Sequence, residues 1–465
     1  MVAKEFDLII IGSGPAGEKA AIEAAKMRKS TAIIERRSVQ GGVCIHTGTI
    51  PSKTLRETVM YISGLRQRSV YGLVGTMRPN VSVAELMYRK GQVIQQEVDI
   101  IQQNMARHRI EVIQGEGAIK DPHTVVVTND DGVRSELHGE IIIISTGTRS
   151  WHTPGVEFDH QFIYDAESII NIDTLPRTMT IIGGGVIGCE YASIFAHIGV
   201  NVTIVDSRER LLSFLDREIA DALAYLMRKY RINLVLGDGM KEVYREGEQV
   251  AAVTQSGRRV LSDRALFTAG RVGNPECLGL EKLGINVDDR GLIKVDEMYR
   301  TNVPNIYAVG DVIGFPSLAS VSMDQGRLAA IHAFRRGDTS CINSLLPFGI
   351  YTIPEVSMVG QTEESLSAAG EDYEIGIARY FELARGQIIN DHDGLLKLIF
   401  DPKSRRLLGV HIVGERATEL IHIGQAVMTH GGTLDYFTDT VFNYPTLSEA
   451  YKVAALDGFA RLDQR

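Results

Sequence analysis

A chain of 465 residues is longer than one hydrophobic core organises, so two or three domains are expected. With 44% hydrophobic and 23% charged residues and a formal net charge of −9, the composition is that of an ordinary globular protein and speaks against nucleic acid or an anionic membrane surface as a partner. The longest aliphatic runs, such as IIII at 141–144, fall far short of the roughly 20 residues that a membrane-spanning helix needs.

The opening MVAKEFDLIIIGSG passes from a short polar start directly into a strand and a glycine turn, without the segments of a secretory leader, which predicts a cytoplasmic protein. Residues 7–25, DLIIIGSGPAGEKAAIEAA, read as strand, glycine turn and helix: an aliphatic run enters the GxGxxG of Gly12, Gly14 and Gly17 and leaves into apolar residues at helical spacing. The first glycine permits a tight turn, the second lets the backbone approach a pyrophosphate, and the third allows close helix packing. A helix starting near residue 14 points unpaired N–H groups at the phosphates. The strand STAIIER follows and ends in Glu35, next to Arg36 and 18 positions past Gly17, a spacing that suits a carboxylate accepting from a ribose 2′-hydroxyl.

Next comes GGVCIHTGTIPSK, residues 41–53, which carries Gly42, Cys44, Thr49 and Lys53. The four cysteines, Cys44, Cys189, Cys277 and Cys341, lie far apart with no CxxC pair, so neither a disulfide framework nor a metal site is suggested. A redox role therefore rests on Cys44 alone or on a cofactor. A polar stretch from about 61 to 110 has a helical pattern, clearest at 81–107, with no function assigned; short strands and EIIIISTGT, with Thr146 and Gly147, come after it.

The first motif then recurs. Residues 178–196, TMTIIGGGVIGCEYASIFA, repeat the strand, turn and helix with Gly183, Gly185 and Gly188, and VTIVDSRER places Asp206 18 positions past Gly188. Two dinucleotide sites are expected. Asp206 favours NAD, because a carboxylate there repels the 2′-phosphate of NADP, yet Arg208 and Arg210 offer guanidinium groups that bind phosphate, unless they form a solvated charged loop. Beyond them LFTAGRVGN, with Gly270 and Arg271, and NIYAVGDVIG, with Gly310 and Asp311, read as strands with glycine turns. From about Pro347 the strands LLKLIF and LLGVHIV precede helical ATELIHIGQAVMTH and NYPTLSEAYKVAAL, a third domain of mixed α and β.

Taken together, these motifs resemble the flavoprotein disulfide reductase superfamily over essentially the whole chain and, within it, the soluble, Si-specific NAD(P)+ transhydrogenases. The resemblance implies an α/β fold of two Rossmann-like domains plus a C-terminal α+β dimerisation domain, divided as 1–149 with 272–346 for FAD, 150–271 for NAD(P) and 347–465 for dimerisation. It implies FAD as cofactor, with NAD(H) and NADP(H) as substrates exchanged by a ping-pong mechanism, and a homodimer or higher homo-oligomer. Under it the first GxGxxG and Glu35 hold the ADP half of FAD, Thr146 and Gly147 close that domain, and Asp311 reaches the ribityl and phosphate region. Gly270 and Arg271 lie beside the nicotinamide cofactor, and Lys53 with Glu190 forms the pair next to the flavin and nicotinamide. Read without the family, Lys53 is a solvated helix-start lysine and Glu190 a helix surface charge.

The pattern also departs from the superfamily. Its disulfide reductases carry CxxxxC, with the second cysteine facing the flavin; here Thr49 stands in that place and Cys44 in the exchanging one. A threonine cannot form the disulfide. Near the end, NYPTLSEA puts Tyr444 where those relatives use a histidine, with Pro445 following and Glu449 kept. A phenol with a pKa of about 10 is a poor proton shuttle for thiols near neutral pH. Both losses leave a hydride-transfer enzyme without a redox disulfide. The alternative is an NAD(P)H oxidase or quinone reductase of the same fold. Three readings of Cys44 stay open: a packed remnant, a sulfenic-acid catalyst, or a disulfide partner for another cysteine; Cys189 reads as packing. Tyr444–Pro445 is either a cis turn that shapes the dimer interface or part of a segment reaching the partner's flavin.

Overall fold

A computed structural model describes residues 4–64, 82–335 and 341–464. The predicted polar helical stretch is thereby divided, and its portion at 65–81 lies outside the described residues. The first unit forms as expected: β1 (Lys4–Ile11), α1 (Pro15–Lys26) and β2 (Thr31–Glu35). Gly14 caps α1 with extended backbone and Pro15 follows it, where the missing N–H costs nothing. The alanines that α1 presents, Ala20, Ala21 and Ala24, are fully buried and let it lie close to a second helix, α7 (Ala319–Phe334).

Two helices follow in sequence, α2 (Gly42–His46) and α3 (Thr49–Ser63), and then the long α4 (Val83–Arg107) packs against α3. The start of α4 is set by Ser82, whose hydroxyl accepts from the Glu85 N–H while the Glu85 carboxylate accepts from the Ser82 N–H. Its buried face, Leu86, Val98, Ile101 and Met105, has helical spacing, and the buried Lys90 ammonium donates to the Ile170 carbonyl at 2.7 Å.

β1 runs parallel to both β2 and β6 (Arg134–Ile144), β2 is extended by β3 (Glu111–Gln114), and β17 (Ile306–Ala308) adds itself to the far side of β6. An antiparallel meander of β4 (Glu116–Asp121) and β5 (Thr124–Thr128) joins the first half of β6. The second unit repeats this plan. Its parallel sheet has the order β11-β10-β9-β15-β8, built from β8 (Ile163–Asp165), β9 (Thr178–Ile182), β10 (Asn201–Asp206), β11 (Asn233–Leu236) and β15 (Arg264–Phe267). Its own three-stranded meander is β12 (Met240–Glu246), β13 (Gln249–Thr254) and β14 (Arg259–Ser262). The helices α5 (Val186–His197) and α6 (Arg217–Lys229) belong to this unit. Where the chain passes between the units, β7 (Thr148–Ser150) and β16 (Arg271–Gly273) pair antiparallel.

The last third is a five-stranded antiparallel sheet, β18-β19-β22-β21-β20, of β18 (Phe348–Ile350), β19 (Val356–Gly360), β20 (Glu374–Arg379), β21 (Leu395–Phe400) and β22 (Leu407–Val413). It carries α8 (Glu363–Ala369), α9 (Ala417–Thr429) and the closing α10 (Glu449–Leu462). NYPTLSEAYKVAAL is therefore helical only from Glu449; Pro445 disfavours helix at the residue before it and has no N–H to give a helix, so the six residues 443–448 precede α10 as an irregular segment. Tyr444–Pro445 is cis, as one of the two sequence readings has it.

The second unit and the antiparallel sheet share a core, in which Leu223, Met227 and Leu266 meet Val356, Leu395 and Val413. A polar latch lies in the same contact: Lys397 of β21, fully buried, is held by Asp216 at 2.9 Å, by Glu218 at 3.1 Å and by Glu363. No helix among the described residues is long and apolar enough to cross a membrane.

Candidate functional site

The two glycine turns are built alike, down to groups that flank them. In the first, a Cβ on Gly17 would lie 2.1 Å from the Gly12 carbonyl oxygen; in the second, a Cβ on Gly188 would lie 1.9 Å from that of Gly183. No side chain fits at either position, which is the close helix packing the spacing predicts. A Cβ on Gly14 meets nothing within 4 Å, so the backbone there is open to an incoming group. Ser145, just past β6, donates from Oγ to the Gly12 carbonyl at 2.8 Å, and Thr268, just past β15, donates to the Gly183 carbonyl at the same distance. The acids brace the same turns: Glu35 Oε2 accepts from the Ser13 N–H at 3.0 Å and its hydroxyl at 2.6 Å, while Asp206 Oδ2 accepts from the Gly184 N–H at 2.5 Å.

At the first turn a cavity opens, with Glu35, Arg36, Cys44 and Thr49 among its lining. Gly12, Gly14, Gly42, Thr146, Gly147, Gly310 and Asp311, each singled out in the sequence, line it as well. Asp311 accepts from the Thr148 hydroxyl at 3.3 Å and from Ser322 at 3.4 Å. Burial pushes the Cys44 thiol above its ordinary pKa and the Asp311 carboxylate adds to this, against the opposing pull of the Thr49 hydroxyl and of Lys53. All four cysteines are free. Cys189 is fully buried and its thiol is driven far above the ordinary range by that burial, in keeping with a packing role.

Lys53, the fifth residue of α3, donates to both carboxylate oxygens of Glu190 on α5, at 2.9 and 2.8 Å. Glu190 is only 3% exposed, so the surface-charge reading of this residue does not hold, and the paired Lys53 is no free surface lysine. A residue that the sequence reading passed over completes the arrangement: the Tyr351 N–H donates to Glu190 at 2.9 Å and its ring lies 5.0 Å from the Lys53 ammonium. The pair thus joins α3, α5 and the strand exit after β18.

At the second turn, Arg208 closes as a fork on Asp206, with Nε to Oδ1 at 2.9 Å and a terminal nitrogen to Oδ2 at 2.6 Å. Burial raises the Asp206 pKa, but the Arg208 and Gly184 hydrogen bonds outweigh it and hold the carboxyl below its usual range. Arg208 leans over Gly185, the nearest atom to a Cβ placed there. Arg210 does not join it. Its guanidinium is spent on Glu364 at 2.9 Å and the Ser213 carbonyl at 3.0 Å, because Leu211 and Leu212 are buried and turn the loop toward the antiparallel sheet. Of the two arginines expected to address one ligand, Arg208 lies at the turn and Arg210 is engaged with Glu364. Arg271, next to Gly270, donates to the Thr148 hydroxyl and carbonyl at 2.8 and 2.7 Å and pairs with Glu167, so it fastens β16 to β7.

Tyr444 is 67% exposed, and Glu449 keeps Oε2 buried without a hydrogen-bond partner among the described residues. Sequence reading missed Ser145 and Thr268, although both have a signal: each is a hydroxyl residue directly after an aliphatic strand and two positions before a glycine, Gly147 or Gly270.

Residues 6–326 match the model of the pyridine nucleotide-disulphide oxidoreductase family and residues 346–455 that of its dimerisation domain. The chain is 48% identical to a soluble pyridine nucleotide transhydrogenase of Mycobacterium bovis over 98% of its length and 97% of the relative's. It is 44% identical to one of Pectobacterium atrosepticum over 98% of each. Among solved structures, the HOCl-induced flavoprotein disulfide reductase RclA of Escherichia coli superposes with a TM-score of 0.88 at 29% identity, covering 97% of this chain and 99% of that one. LpdA of Mycobacterium tuberculosis superposes with a TM-score of 0.89 at 27% identity, covering 98% and 99%.

Proposed function

The chain belongs to the pyridine nucleotide-disulphide oxidoreductase family, and from that premise we propose that it is a soluble, Si-specific pyridine nucleotide transhydrogenase, which catalyses NADPH + NAD+ ⇌ NADP+ + NADH by a ping-pong mechanism. FAD is the cofactor of the family and supplies, when bound, a two-electron carrier that takes hydride from one nucleotide and gives it to the next. The observation that carries the reading is the intact Lys53–Glu190 pair, its lysine on the same helix as Thr49, which lines the cavity together with Cys44 where a second cysteine would be needed for a redox disulfide.

The residues present fit FAD: the backbone above Gly14 is open, the start of α1 presents its N–H groups there, and Glu35 and Thr49 line the same cavity. Glu35 would hold the adenosine ribose, the α1 N-terminus the pyrophosphate, and Asp311 the ribityl chain. The Lys53 ammonium would stabilise negative charge developing next to it, and Glu190 fixes that ammonium by a two-oxygen grip, while its own orientation is set by the Tyr351 N–H. Asp206 would accept from the ribose hydroxyls of NAD, and Arg208, whose side chain is 46% exposed, would receive the 2′-phosphate of NADP. One carboxylate and one guanidinium in mutual contact let a single site take either nucleotide in turn.

The division at 149/150, 271/272 and 346/347 is supported by the β7–β16 crossing and by the start of the dimerisation-domain match at residue 346. A homodimer in which the Tyr444–Glu449 segment reaches the partner is supported by that match and by the unpartnered Glu449 oxygen. A cytoplasmic location accords with the soluble relatives.

The test is steady-state kinetics with NADPH and thio-NAD+ on the FAD-loaded protein. Parallel double-reciprocal lines, with no turnover of disulfide substrates, support the proposal. Intersecting lines overturn the ping-pong order, and turnover with oxygen or a quinone but not with thio-NAD+ turns the reading to an oxidase or quinone reductase.

A further inference from the structure

Three phenylalanine rings from three parts of the fold meet at the surface. Phe348 of β18 stacks with Phe315 at a centroid distance of 6.1 Å and an interplanar angle of 16°, and lies 5.8 Å from Phe214. Phe315 is nevertheless 83% exposed and Phe214 43%. Single exposed apolar residues need no explanation, but three touching rings do.

Their neighbours locate the cluster. Phe315 sits between Asp311 and Ser317, which both line the cavity, yet it does not line the cavity itself, so a group filling that space leaves its outer face free. Phe214 closes the loop that begins at Asp206 and Arg208, pinned by buried Leu211, Leu212 and Leu215 and by the Arg210–Glu364 bridge. Phe348 stands three residues before Tyr351, which binds Glu190 and covers Lys53. The loop of the nucleotide-selecting acid, the turn of the cofactor cavity and the strand exit beside the Lys53–Glu190 pair therefore converge on these rings.

We propose that Phe315, backed by Phe348 and flanked by Phe214, is a positioning residue: a platform on which the nicotinamide half of the substrate nucleotide stacks as it passes from the Asp206 end of its site toward Lys53. This rests on the transhydrogenase reading of the site. The occupant is a flat ring that carries positive charge in its oxidised form, and an aromatic face attracts both features. Because the 2′-phosphate lies at the other end of the molecule, the platform serves NAD+ and NADP+ alike.

The experiment is calorimetric titration of the FAD-loaded protein with NAD+ and with NADP+, neither of which is turned over alone, for wild type, Phe315→Ala and Phe315→Tyr. FAD content, Tm and sedimentation are measured on each. The platform predicts that Phe315→Ala weakens both nucleotides about tenfold while Phe315→Tyr, which keeps the aromatic face, binds about as wild type. In turnover, KM rises in Phe315→Ala with kcat held. Equal binding by Phe315→Ala and wild type overturns the proposal, as does a loss confined to NADP+. A loss of dimer in Phe315→Ala assigns the ring to a subunit interface and overturns it too. If wild type binds neither nucleotide, the platform and the transhydrogenase reading fall together; if it binds both and Phe315→Ala does not, but thio-NAD+ is never reduced, only the transhydrogenase reading falls.

Discussion

Lys53 and Glu190, 137 residues apart in sequence, meet with both carboxylate oxygens within 2.9 Å of one ammonium. Holding the ammonium in this way removes the freedom of a four-carbon side chain and leaves one fixed positive charge, which is what charge developing during hydride transfer requires. Replacing Glu190 by Gln keeps the shape but weakens the grip, and replacing Lys53 by Met removes the charge. Both variants are expected to keep their flavin, and Lys53→Met to lose about a hundredfold in the rate of flavin reduction by NADPH, read by stopped-flow absorbance. Wild-type rates in Lys53→Met would make the pair a structural bridge.

The split between the two arginines gives a selectivity experiment. Arg208→Ala is expected to lower kcat/KM for NADPH by about tenfold or more and to spare NADH, because the phosphate loses its guanidinium while Asp206 remains. Arg210→Ala, which loses only its bridge to Glu364, is expected to leave the NADH to NADPH ratio within about twofold of wild type. Equal loss of NADPH in both variants would show that Arg210 leaves Glu364 when the nucleotide binds.

Cys44 carries a thiol whose pKa is raised by burial and by Asp311, so it is protonated at neutral pH and a weak nucleophile. Cys44→Ser is expected to keep transhydrogenase activity within about twofold. Alkylation of Cys44 by iodoacetamide, followed by mass spectrometry, is expected to be slow at pH 7 and to speed up only at alkaline pH. Rapid labelling at pH 7 would point to a thiolate and restore the catalytic reading.

A stability test lies in the contact between the second unit and the antiparallel sheet. His411 is fully buried and burial lowers its pKa; Asp216 and Glu364 pull it upward, and Lys397 downward, while Nε2 is held by the Gln361 carbonyl at 2.8 Å. The folded protein therefore resists protonation at a site that titrates near 6.5 when unfolded. Its contribution is whole above that value and is lost as pH falls below it, by at most about 1.4 kcal/mol per pH unit. Wild-type Tm is expected to fall between pH 7.5 and 5.5 more steeply than that of His411→Gln, by differential scanning fluorimetry; parallel profiles would contradict the assignment.

How much of this was legible in the sequence follows from how local each signal is. Both glycine turns, Glu35, Asp206 and the bounds of β1, α1 and α5 were readable because strand, turn and helix lie within about twenty residues and each glycine has its own steric reason. The Lys53–Glu190 pair was named only through family resemblance, since nothing local links positions 53 and 190. The engagement of Arg210 with Glu364 was not legible because the loop direction depends on the burial of Leu211 and Leu212 against another part of the chain. Tyr351 and the Lys397 latch escaped for the same reason: their partners, Glu190 for the one and Asp216, Glu218 and Glu363 for the other, come from helices distant in sequence. The helix expected from residue 443 gave way to Pro445, whose signal was present in the sequence and outweighs the helical periodicity around it.

The most direct test of the account is anaerobic. The FAD-loaded protein is reduced with one equivalent of NADPH, freed of NADP+ and mixed with thio-NAD+, while flavin and thio-NADH absorbance are followed together in wild type and Cys44→Ser. Hydride transfer through the flavin alone predicts that thio-NADH appears as fast as the flavin band returns, in equal amount, and alike in both proteins. Reduced protein that ignores thio-NAD+ yet is discharged by oxygen or a quinone, or transfer that disappears in Cys44→Ser, would contradict it.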